Sequence, residues 1–161
     1  MKHLIAPTIL ILMLGGCETA QKSNGFVRTQ EEYSWHISGQ SSVDLVMELD
    51  KVWAARDYDK MRTFFSDTAS FSFAEGEKFN SFDGFIGHVK KQAEAGNTWT
   101  TEYAFAVDLA PGEGGDWVNA AFRVGLPESD PKKKEEIFYE WYYVKNGKIH
   151  IWSQSKQVVL K

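Results

Sequence analysis

The stretch of residues 139–152 reads YEWYYVKNGKIHIW, and it predicts a β-hairpin. Asn146-Gly147 is the preferred pair for a two-residue type I′ turn, because both central residues of that turn need a positive φ. Aromatic and β-branched residues on either side of the turn favour strands. A two-residue turn also sets the register of the two strands, which is expected to pair Lys145 with Lys148, Tyr143 with His150 and Trp141 with Trp152.

Alternation of apolar and polar residues with period two extends the sheet beyond this hairpin. Loops that contain glycine and proline, such as residues 111–115, separate the alternating segments. The four strands of the predicted antiparallel meander are residues 99–109, 117–126, 135–145 and 149–157.

Apolar residues at helical spacing occupy the part of the chain before the meander. Ser42 is the expected N-cap of the first helix and Asp57 of the second, because their side chains can accept a hydrogen bond from a free backbone N–H. Gly96-Asn97 is the expected end of the third helix. The chain is therefore predicted to be an α+β domain. Its predicted helices are residues 43–56, 58–65 and 81–95, with a short strand at 69–73.

Because side chains alternate along a strand, the register divides the sheet into two faces. Glu102, Arg123 and Glu140 are expected to form a ladder of charges on one face. The other face is expected to pack against the helices, and a one-residue bulge would exchange the two. Its aromatic rings and few polar groups suit either a pocket for a flat apolar molecule or a hydrogen-bonded core. The side chains expected there are Trp99, Tyr103, Phe105, Val118, Phe122, Val124, Tyr139, Trp141, Tyr143, His150, Trp152 and Gln154.

The N-terminal residues have the parts of a bacterial export signal. Met1-Lys2-His3 is a short basic start, residues 4–14 are apolar, and small residues precede Cys17. The apolar run is shorter than the roughly 20 residues that a membrane-spanning helix needs. Leu14-Gly15-Gly16-Cys17 resembles the lipobox of bacterial lipoproteins. That resemblance implies cleavage before Cys17, a diacylglyceryl group on its sulfur and a fatty acyl chain such as palmitate on its amino group. An ordinary secretory signal is the alternative.

This pattern divides the chain into three parts. Residues 1–16 are the predicted lipoprotein signal peptide, residues 17–42 a lipid-anchored polar tether, and residues 43–161 the folded domain. Aromatic residues near the end of the tether, such as Tyr33 and Trp35, suggest that this part contacts the domain. We expect the protein to be attached by lipid to a membrane of the bacterial cell envelope, in either the inner or the outer leaflet.

Composition limits the classes of function. The net charge of −4, with one basic cluster at residues 132–134 that acidic residues follow directly, argues against nucleic-acid binding. A single cysteine excludes an internal disulfide, and the four histidines are too far apart to propose a metal site. No cofactor is expected. Six Trp residues in a domain of this size require a large buried face, a ligand cavity or a partner surface.

Three motifs resemble nuclear transport factor 2-like domains, and most closely their polyketide-cyclase-like (SnoaL-like) branch. They are WAARDYDKM at residues 53–61, FFSDTA at 64–69 and GKI at 147–149, in the order and spacing of that family. The resemblance covers about residues 43–159. It implies a cone-shaped fold, also called cystatin-like, in which a curved antiparallel sheet wraps three N-terminal helices around an apolar pocket. It also implies pairing of two copies through the sheet, but no single activity, because this fold hosts enzymes and binding modules alike.

Candidate catalytic residues are few. In the ketosteroid-isomerase branch of that family, the general base lies six residues after the first Asp of the motif at 64–69, and Phe73 occupies that position here. His150, Asp50 and His88 are the remaining candidates, because dehydratase-like relatives use His and Asp in the pocket. None of the three forms a sequence motif, and each also suits a surface or core role.

These observations predict an envelope lipoprotein that binds a small apolar or aromatic molecule, or a protein partner, in or beside the pocket without catalysis. The alternative is a lyase, isomerase or cyclase that acts on a small ring substrate with His150 as acid or base. A homodimer through the sheet is a further expectation. The expected pocket residues are Trp53, Tyr103, Tyr139, Trp141, Tyr143, His150 and Trp152.

Overall fold

The computed structural model describes most of the predicted domain and little of what precedes it. Cys17 and the predicted signal peptide at residues 1–16 lie outside the described residues, as does the predicted helix end at Gly96-Asn97. The described residues are 23–25, 27–28, 33–93, 98–109, 114–125 and 133–160.

Within these residues the chain forms three helices and one curved, open sheet, which confirms the predicted α+β class. The helices are α1 (Gln40–Ala54), α2 (Tyr58–Arg62) and α3 (Phe82–Ala93). The strands are β1 (His36–Ile37), β2 (Phe65–Ser72), β3 (Lys78–Phe79), β4 (Trp99–Asp108), β5 (Gly115–Gly125), β6 (Lys133–Lys145) and β7 (Lys148–Leu160). Their order across the sheet is β1-β4-β5-β6-β7-β2-β3, and only β2 and β7 pair in parallel. No helix of the described chain is long and apolar enough to cross a membrane.

The predicted turn at the tip of the β6–β7 hairpin is confirmed. Asn146 has φ 52° and Gly147 has φ 68°, as a type I′ turn requires. Lys145 pairs with Lys148 across the turn, in the predicted register.

A β-bulge follows the turn closely and changes the register of the rest of the hairpin. Val144 still pairs with Ile149, but Tyr143 pairs with Ile151, so His150 is an extra residue in β7. Beyond the bulge Trp152 lies opposite Tyr142. Both predicted pairs that involve Tyr143 and Trp152 are therefore wrong, because one inserted residue moves every later side chain to the other face.

A second bulge lies in β4. Thr101 pairs with Phe122 and Tyr103 pairs with Ala121, so Glu102 is the extra residue in this strand. After the bulge, each side chain of β4 therefore lies on the face opposite to the one that uninterrupted alternation would give it. Thr101 points toward the helices, whereas Tyr103, which was expected there, points away from them.

The predicted ladder of charges is confirmed in part. Arg123 Nε donates a hydrogen bond to a carboxylate oxygen of Glu102 at 2.8 Å, and this bond lowers the pKa of Glu102. The second ion pair of Arg123 is with Glu135. Glu140, the predicted third member, lies on the opposite side of the sheet and is only 7% exposed.

Together the two bulges determine which side chains face the helices. Tyr142 is 2% exposed and Trp152 is fully buried, and both belong to the hydrophobic core. Tyr139, Trp141 and Tyr143 alternate with the core residues and lie on the other side, which we call the outer face. The predicted helix-facing set is therefore wrong for these three residues.

Aromatic rings fill the space between the helices and the sheet. Phe85 of α3 stacks on Phe71 of β2 with their ring centroids 4.2 Å apart, and it contacts Trp152 at 5.3 Å. Trp53 of α1 lies against both Phe85 and Trp152. Phe73, at the position of the isomerase base, is buried with its ring centroid 4.8 Å from that of Trp152. This position is therefore apolar in the structure as well as in the sequence.

The folded part begins earlier than predicted. β1 pairs with the end of β4, and α1 begins at Gln40, with Gly39 rather than Ser42 at the N-cap position. Ser42 lies inside the helix, where its hydroxyl, like that of Ser38, donates a hydrogen bond to the Asp116 carboxylate of β5. The last residues of the predicted tether are therefore part of the sheet and of α1.

The second helix also ends earlier than predicted. α2 ends at Arg62, and Phe65 begins β2, where it pairs with Ile149 of β7. The Phe65 side chain is buried in the core from this position. The parallel pairing of β2 with β7 was not predicted, because local alternation does not specify which distant strand is the neighbour.

A pair of tryptophan truncations tests the assignment of the two faces. Trp152→Ala removes a fully buried ring and should lower the free energy of unfolding by about 3–5 kcal/mol. Trp141→Ala on the outer face is the matched control, and its cost should be clearly smaller. Urea unfolding followed by circular dichroism measures both. Equal losses for the two variants would show that the faces are wrongly assigned.

Candidate functional site

The Glu140 side chain of β6 places a carboxylate inside the apolar interior. It accepts hydrogen bonds from the Tyr142 hydroxyl, from Trp152 Nε1–H at 2.9 Å and from Gln154 Nε2–H at 2.9 Å. Strand pairing explains this arrangement, because Glu140 pairs with Gln154 and Tyr142 pairs with Trp152. The bulge at His150 brings these four side chains to the same face.

A second carboxylate approaches from α1. Asp50 accepts a hydrogen bond from Trp99 Nε1–H at 2.7 Å and another from Thr101 Oγ1–H at 3.1 Å. Asp50 therefore links α1 to β4, and its negative charge acts on Glu140. We call the following seven residues the acid cluster: Asp50, Trp99, Thr101, Glu140, Tyr142, Trp152 and Gln154.

Burial dominates the electrostatics of the acid cluster. Desolvation raises the pKa of Glu140, the three hydrogen bonds that it accepts oppose this rise, and the charge of Asp50 adds to it. The pKa of Tyr142 is raised well above its ordinary value, first by burial and then by the neighbouring Glu140 carboxylate. Tyr142 is therefore a neutral hydrogen-bond donor at physiological pH.

The carboxylate oxygens of the acid cluster are occupied by the protein's own donors. Glu140 Oε2 accepts two hydrogen bonds and Oε1 accepts one, while each oxygen of Asp50 accepts one. A buried carboxylate that is satisfied in this way specifies the packing around it. We therefore interpret the acid cluster as a structural link between α1, β4, β6 and β7.

The outer face of the sheet holds a continuous group of aromatic rings. Tyr103 is 45% exposed and Phe105 is 44% exposed. Tyr103 contacts Phe105, Phe105 contacts Trp141, Trp141 contacts Trp117, and Trp117 contacts Tyr143. The ring centroids in these pairs are 5.0 to 6.5 Å apart. We call these five residues the aromatic surface. A contiguous apolar patch of this kind is typical of a binding surface.

Two clefts adjoin the sheet. One has a volume of about 180 Å³ and lies beside the Arg123–Glu135 ion pair. The other has a volume of about 170 Å³, and we call it the rim cleft. Neither cleft is lined by Glu140 or Trp152, so neither is a pocket in the interior of the cone. The residues that line the rim cleft are Tyr33, Asp108, Leu109, Gly115, Trp117, Tyr143 and Ile151.

The seven predicted pocket residues are divided between the two sides of the sheet. Trp152 is in the core and the partly buried Trp53 packs against it, with their ring centroids 6.1 Å apart. The prediction that all seven face one pocket is wrong, because the bulges shift the register between them. The residues found on the outer face or at the bulge are Tyr103, Tyr139, Trp141, Tyr143 and His150.

The three catalytic candidates contact different parts of the structure. Asp50 belongs to the acid cluster. His88 of α3 packs against Phe73 with the ring centroids 4.3 Å apart. His150 lies at the bulge, with Nε2 3.3 Å from the carbonyl oxygen of Lys145. Among the described residues there is also no group of three or more His, Cys, Asp or Glu that could hold a metal ion.

Glu140 is the important residue that the sequence analysis assigned wrongly. It lies between Tyr139 and Trp141 in sequence, and an acidic residue in a strand is usually exposed. Glu140 faces Gln154 only in the bulged register, so the sequence pattern alone gives no signal for this buried polar pair.

Comparison with known proteins identifies the fold. No family model matches the chain, and no curated protein matches it in sequence. An NTF2-like protein from Mesorhizobium loti matches with a TM-score of 0.59 at 12% identity, over 76% of this chain and 97% of that one. A ketosteroid isomerase-like protein from Kribbella flavida gives 0.60 at 6% identity, over 75% and 81%. A polyketide cyclase-like protein from Xanthomonas campestris gives 0.56 at 10% identity, over 72% and 90%.

These similarities establish the nuclear transport factor 2-like fold that the sequence motifs predicted. At identities between 6% and 12% they concern the backbone arrangement alone. The activities in the neighbours' names belong to those proteins.

Replacing Glu140 tests the electrostatics of the acid cluster. Because its pKa is raised in the folded state, the stability that Glu140 contributes is fully present below its unfolded value near 4.5 and is lost as the pH rises through the folded pKa. The side chain at this position does not titrate in the Glu140→Gln variant, so the stability of wild type should fall relative to that of the variant as the pH rises above about 4.5, by at most about 1.4 kcal/mol per pH unit.

Urea unfolding at a series of pH values measures this difference. Glu102→Gln is the matched control. Arg123 lowers the pKa of Glu102, so the stability that Glu102 contributes is present above its unfolded value near 4.5 and is lost only as the pH falls below it, and the difference between wild type and this variant should stay constant above that pH. Parallel pH profiles for wild type and Glu140→Gln would contradict the account.

Proposed function

We propose that this chain is a lipid-anchored protein of the bacterial cell envelope whose single domain binds an apolar molecule or a protein partner without catalysis. The binding site in this proposal is the aromatic surface on the outer face, and not the interior of the cone. The observation that supports it is the continuous contact of partly exposed rings from Tyr103 to Tyr143.

The sequence supports the anchoring. Leu14-Gly15-Gly16-Cys17 follows a basic start and a short apolar run, and Cys17 is the only cysteine of the chain. Asn24 and Trp35 exchange two backbone hydrogen bonds and Tyr33 lines the rim cleft, so the residues between Cys17 and Asn24 are the ones available as a tether between the membrane and the domain.

The composition of the outer face supports a binding role. Tyr, Trp and Phe are enriched at the centres of protein interfaces, because they bury a large area at a small cost in conformational entropy. The helices α1 and α3 pack on the other side of the sheet and do not cover this face. A partner that covered Tyr103 and Phe105 would remove their exposed apolar area from water, which is favourable.

The positions of the titratable groups argue against the enzyme alternative. His150 as an acid or base would require a carboxylate in the same closed pocket, but Glu140 lies on the other side of β6 and accepts three hydrogen bonds from the protein. Phe73 stands where the isomerase base would be. The isomerase and cyclase names of two structural neighbours are compatible with the fold but identify no acid–base pair here.

We also propose that a second copy of this chain is one partner of the aromatic surface. In a two-fold symmetric dimer the same patch contacts itself, so an apolar patch is complementary to its own copy. Pairing through this surface would cover Tyr103 and Phe105 of both copies.

Replacing Cys17 tests the anchoring. Cys17→Ser removes the sulfur that would carry the diacylglyceryl group, so the precursor should remain unprocessed and labelling with palmitate should be lost. Immunoblots for size and fluorography for the label measure both effects, with Thr19→Ala as a control that should be processed and labelled normally. A Cys17→Ser protein that reaches the mature size and remains labelled would refute the anchoring.

Replacing Phe105 tests pairing through the aromatic surface. Phe105→Glu places a charge among apolar rings, so the variant should be monomeric at concentrations where wild type sediments as a dimer. Leu160→Glu is the control, because Leu160 is 69% exposed at the end of β7 and outside this surface. Analytical ultracentrifugation measures the masses. A dimer that persists in Phe105→Glu, or a wild type that stays monomeric at every concentration, would contradict the pairing.

A further inference from the structure

The edge of the sheet at β4 is paired with another strand along only part of its length. β1 pairs with the last two residues of β4, and the Ser38 N–H donates a hydrogen bond to the Ala106 carbonyl oxygen at 3.0 Å. The chain then leaves the sheet, because Gly39 is the N-cap position of α1. Among the described residues, no strand or isolated bridge pairs with residues 99–105 on this side.

Backbone groups of this unpaired stretch point away from the sheet. The N–H and C=O of one residue lie on the same side of a strand, and the side alternates from residue to residue. The Ala106 carbonyl points toward β1, and no bulge separates it from Ala104, so the N–H and C=O of Ala104 point the same way. Phe105 faces β5 instead, where it pairs with Asn119. Ala104 therefore offers one donor and one acceptor to an added strand.

This stretch lacks most of the features that protect an exposed edge. β4 has 10 residues and contains neither Lys nor Pro. Residues 100–103 are all exposed, although their side chains point to both sides of the strand. No helix of the described chain therefore covers the edge here, and the bulge at Glu102 is its one irregularity. The part next to the bulge, from Tyr103 to Phe105, is open to a strand from outside the domain.

Apolar side chains lie on both sides of the line that an added strand would follow. Tyr103 and Phe105 extend from β4 on the outer face. On the other face, Val43 and Met47 of α1 are half-buried. They precede Asp50 by two turns and by one turn, so they share the side of α1 from which Asp50 reaches β4. Successive side chains of an added strand would therefore have apolar neighbours on either face.

We propose that the free edge of β4 binds an extended, uncharged apolar segment of another protein by β-strand addition. Hydrogen bonds to the Ala104 backbone would hold the segment, and the rings of Tyr103 and Phe105 would contact its alternate side chains. This inference goes beyond the proposed function, because the faces of the rings can bind a partner whether or not the backbone edge is occupied.

A second copy of this chain suits the edge less well. Two β4 strands that pair antiparallel over residues 99–105 place Glu102 opposite its own counterpart, because it is the middle residue of that stretch. Like charges directly opposite each other destabilise a strand pair. A partner segment without charge avoids this repulsion.

A pair of peptides tests whether the backbone of the partner is recognised. Both have the sequence KKVYVIVKK, in which the lysines keep the peptide soluble, and both carry a fluorescent label. In the second peptide every apolar residue is N-methylated, which removes the N–H donors and keeps the side chains. The full chain in maltoside detergent should bind the first at least about tenfold more tightly, as measured by fluorescence anisotropy. Equal affinities, or a wild type that binds neither peptide, would overturn the proposal.

Two variants at one position test the location. Ala104→Pro removes the N–H that points away from β5, which an edge strand tolerates, and it should weaken binding of the unmethylated peptide by about tenfold or more. Ala104→Val is the matched control, because it enlarges the side chain but keeps the N–H, and it should bind as wild type does. Uptake of the peptide by micelles is the same for both variants. Circular dichroism checks that they are folded, and equal affinities for the two would overturn the location.

Amide hydrogen exchange of the wild type decides the location if Ala104→Pro does not fold. Without peptide the Ala104 N–H should exchange at close to the rate of a free amide, whereas the Phe105 N–H, which faces β5, should be protected. The unmethylated peptide should slow the exchange of Ala104 by about tenfold or more and leave that of Phe105 unchanged. An Ala104 N–H that is protected without peptide, or not protected with it, would overturn the proposal.

Sedimentation of the same proteins separates the edge site from the proposed function. Phe105→Glu should lose the dimer, whereas Ala104→Pro should keep it, because pairing through the aromatic surface does not use the β4 backbone. Loss of the dimer in Ala104→Pro would show that a second copy occupies the edge, and would overturn the assignment to another protein. A wild type that forms the dimer but does not bind the peptide would refute the edge site and leave the proposed function standing.

Discussion

One extra residue in β7 determines which aromatic residues of the β6–β7 hairpin are buried against the helices. The bulge at His150 shifts Trp152 to the side of Tyr142, and both are then buried against the helices. Alternation along the strands leaves Trp141 and Tyr143 on the outer face. The filled interior depends on the bulge at His150, and the outward position of Tyr103 and Phe105 in the aromatic surface depends on the bulge at Glu102, so the functional arguments about this protein depend on both bulges.

The buried carboxylate of Glu140 explains why the bulged register is favourable. An unpaired carboxylate in an apolar interior costs several kcal/mol, so it must find its donors on the same face. Trp152 and Gln154 reach Glu140 from β7 only because of the inserted residue. Asp50 extends the same network to α1 and β4, so the register of the sheet and the position of the first helix are coupled.

Local patterns in the sequence were sufficient to predict the helices and strands, but not to predict which strand side chains face the helices. Asn146-Gly147 determined its turn, because only one turn type suits that pair, and the strand at Trp99–Asp108 was recognisable from alternation. The bulge at His150 was not recognisable, because it depends on which face is buried, and that is a property of the assembled domain. Residue type was enough to name Asp50 and Trp152 as candidates. Glu140 was assigned to an exposed ladder, because the sequence does not show that the bulged register buries it beside Trp152.

The central claim is that the interior of the cone is closed and that binding takes place on the outer face. Hydrogen exchange of the Trp152 indole N–H, followed by nuclear magnetic resonance, tests it most directly, because this group is fully buried and donates to Glu140. The account predicts that this proton exchanges only when the whole domain unfolds. Exchange at the rate of a solvent-accessible indole, under conditions where the domain stays folded, would show that water enters the interior and would contradict the account.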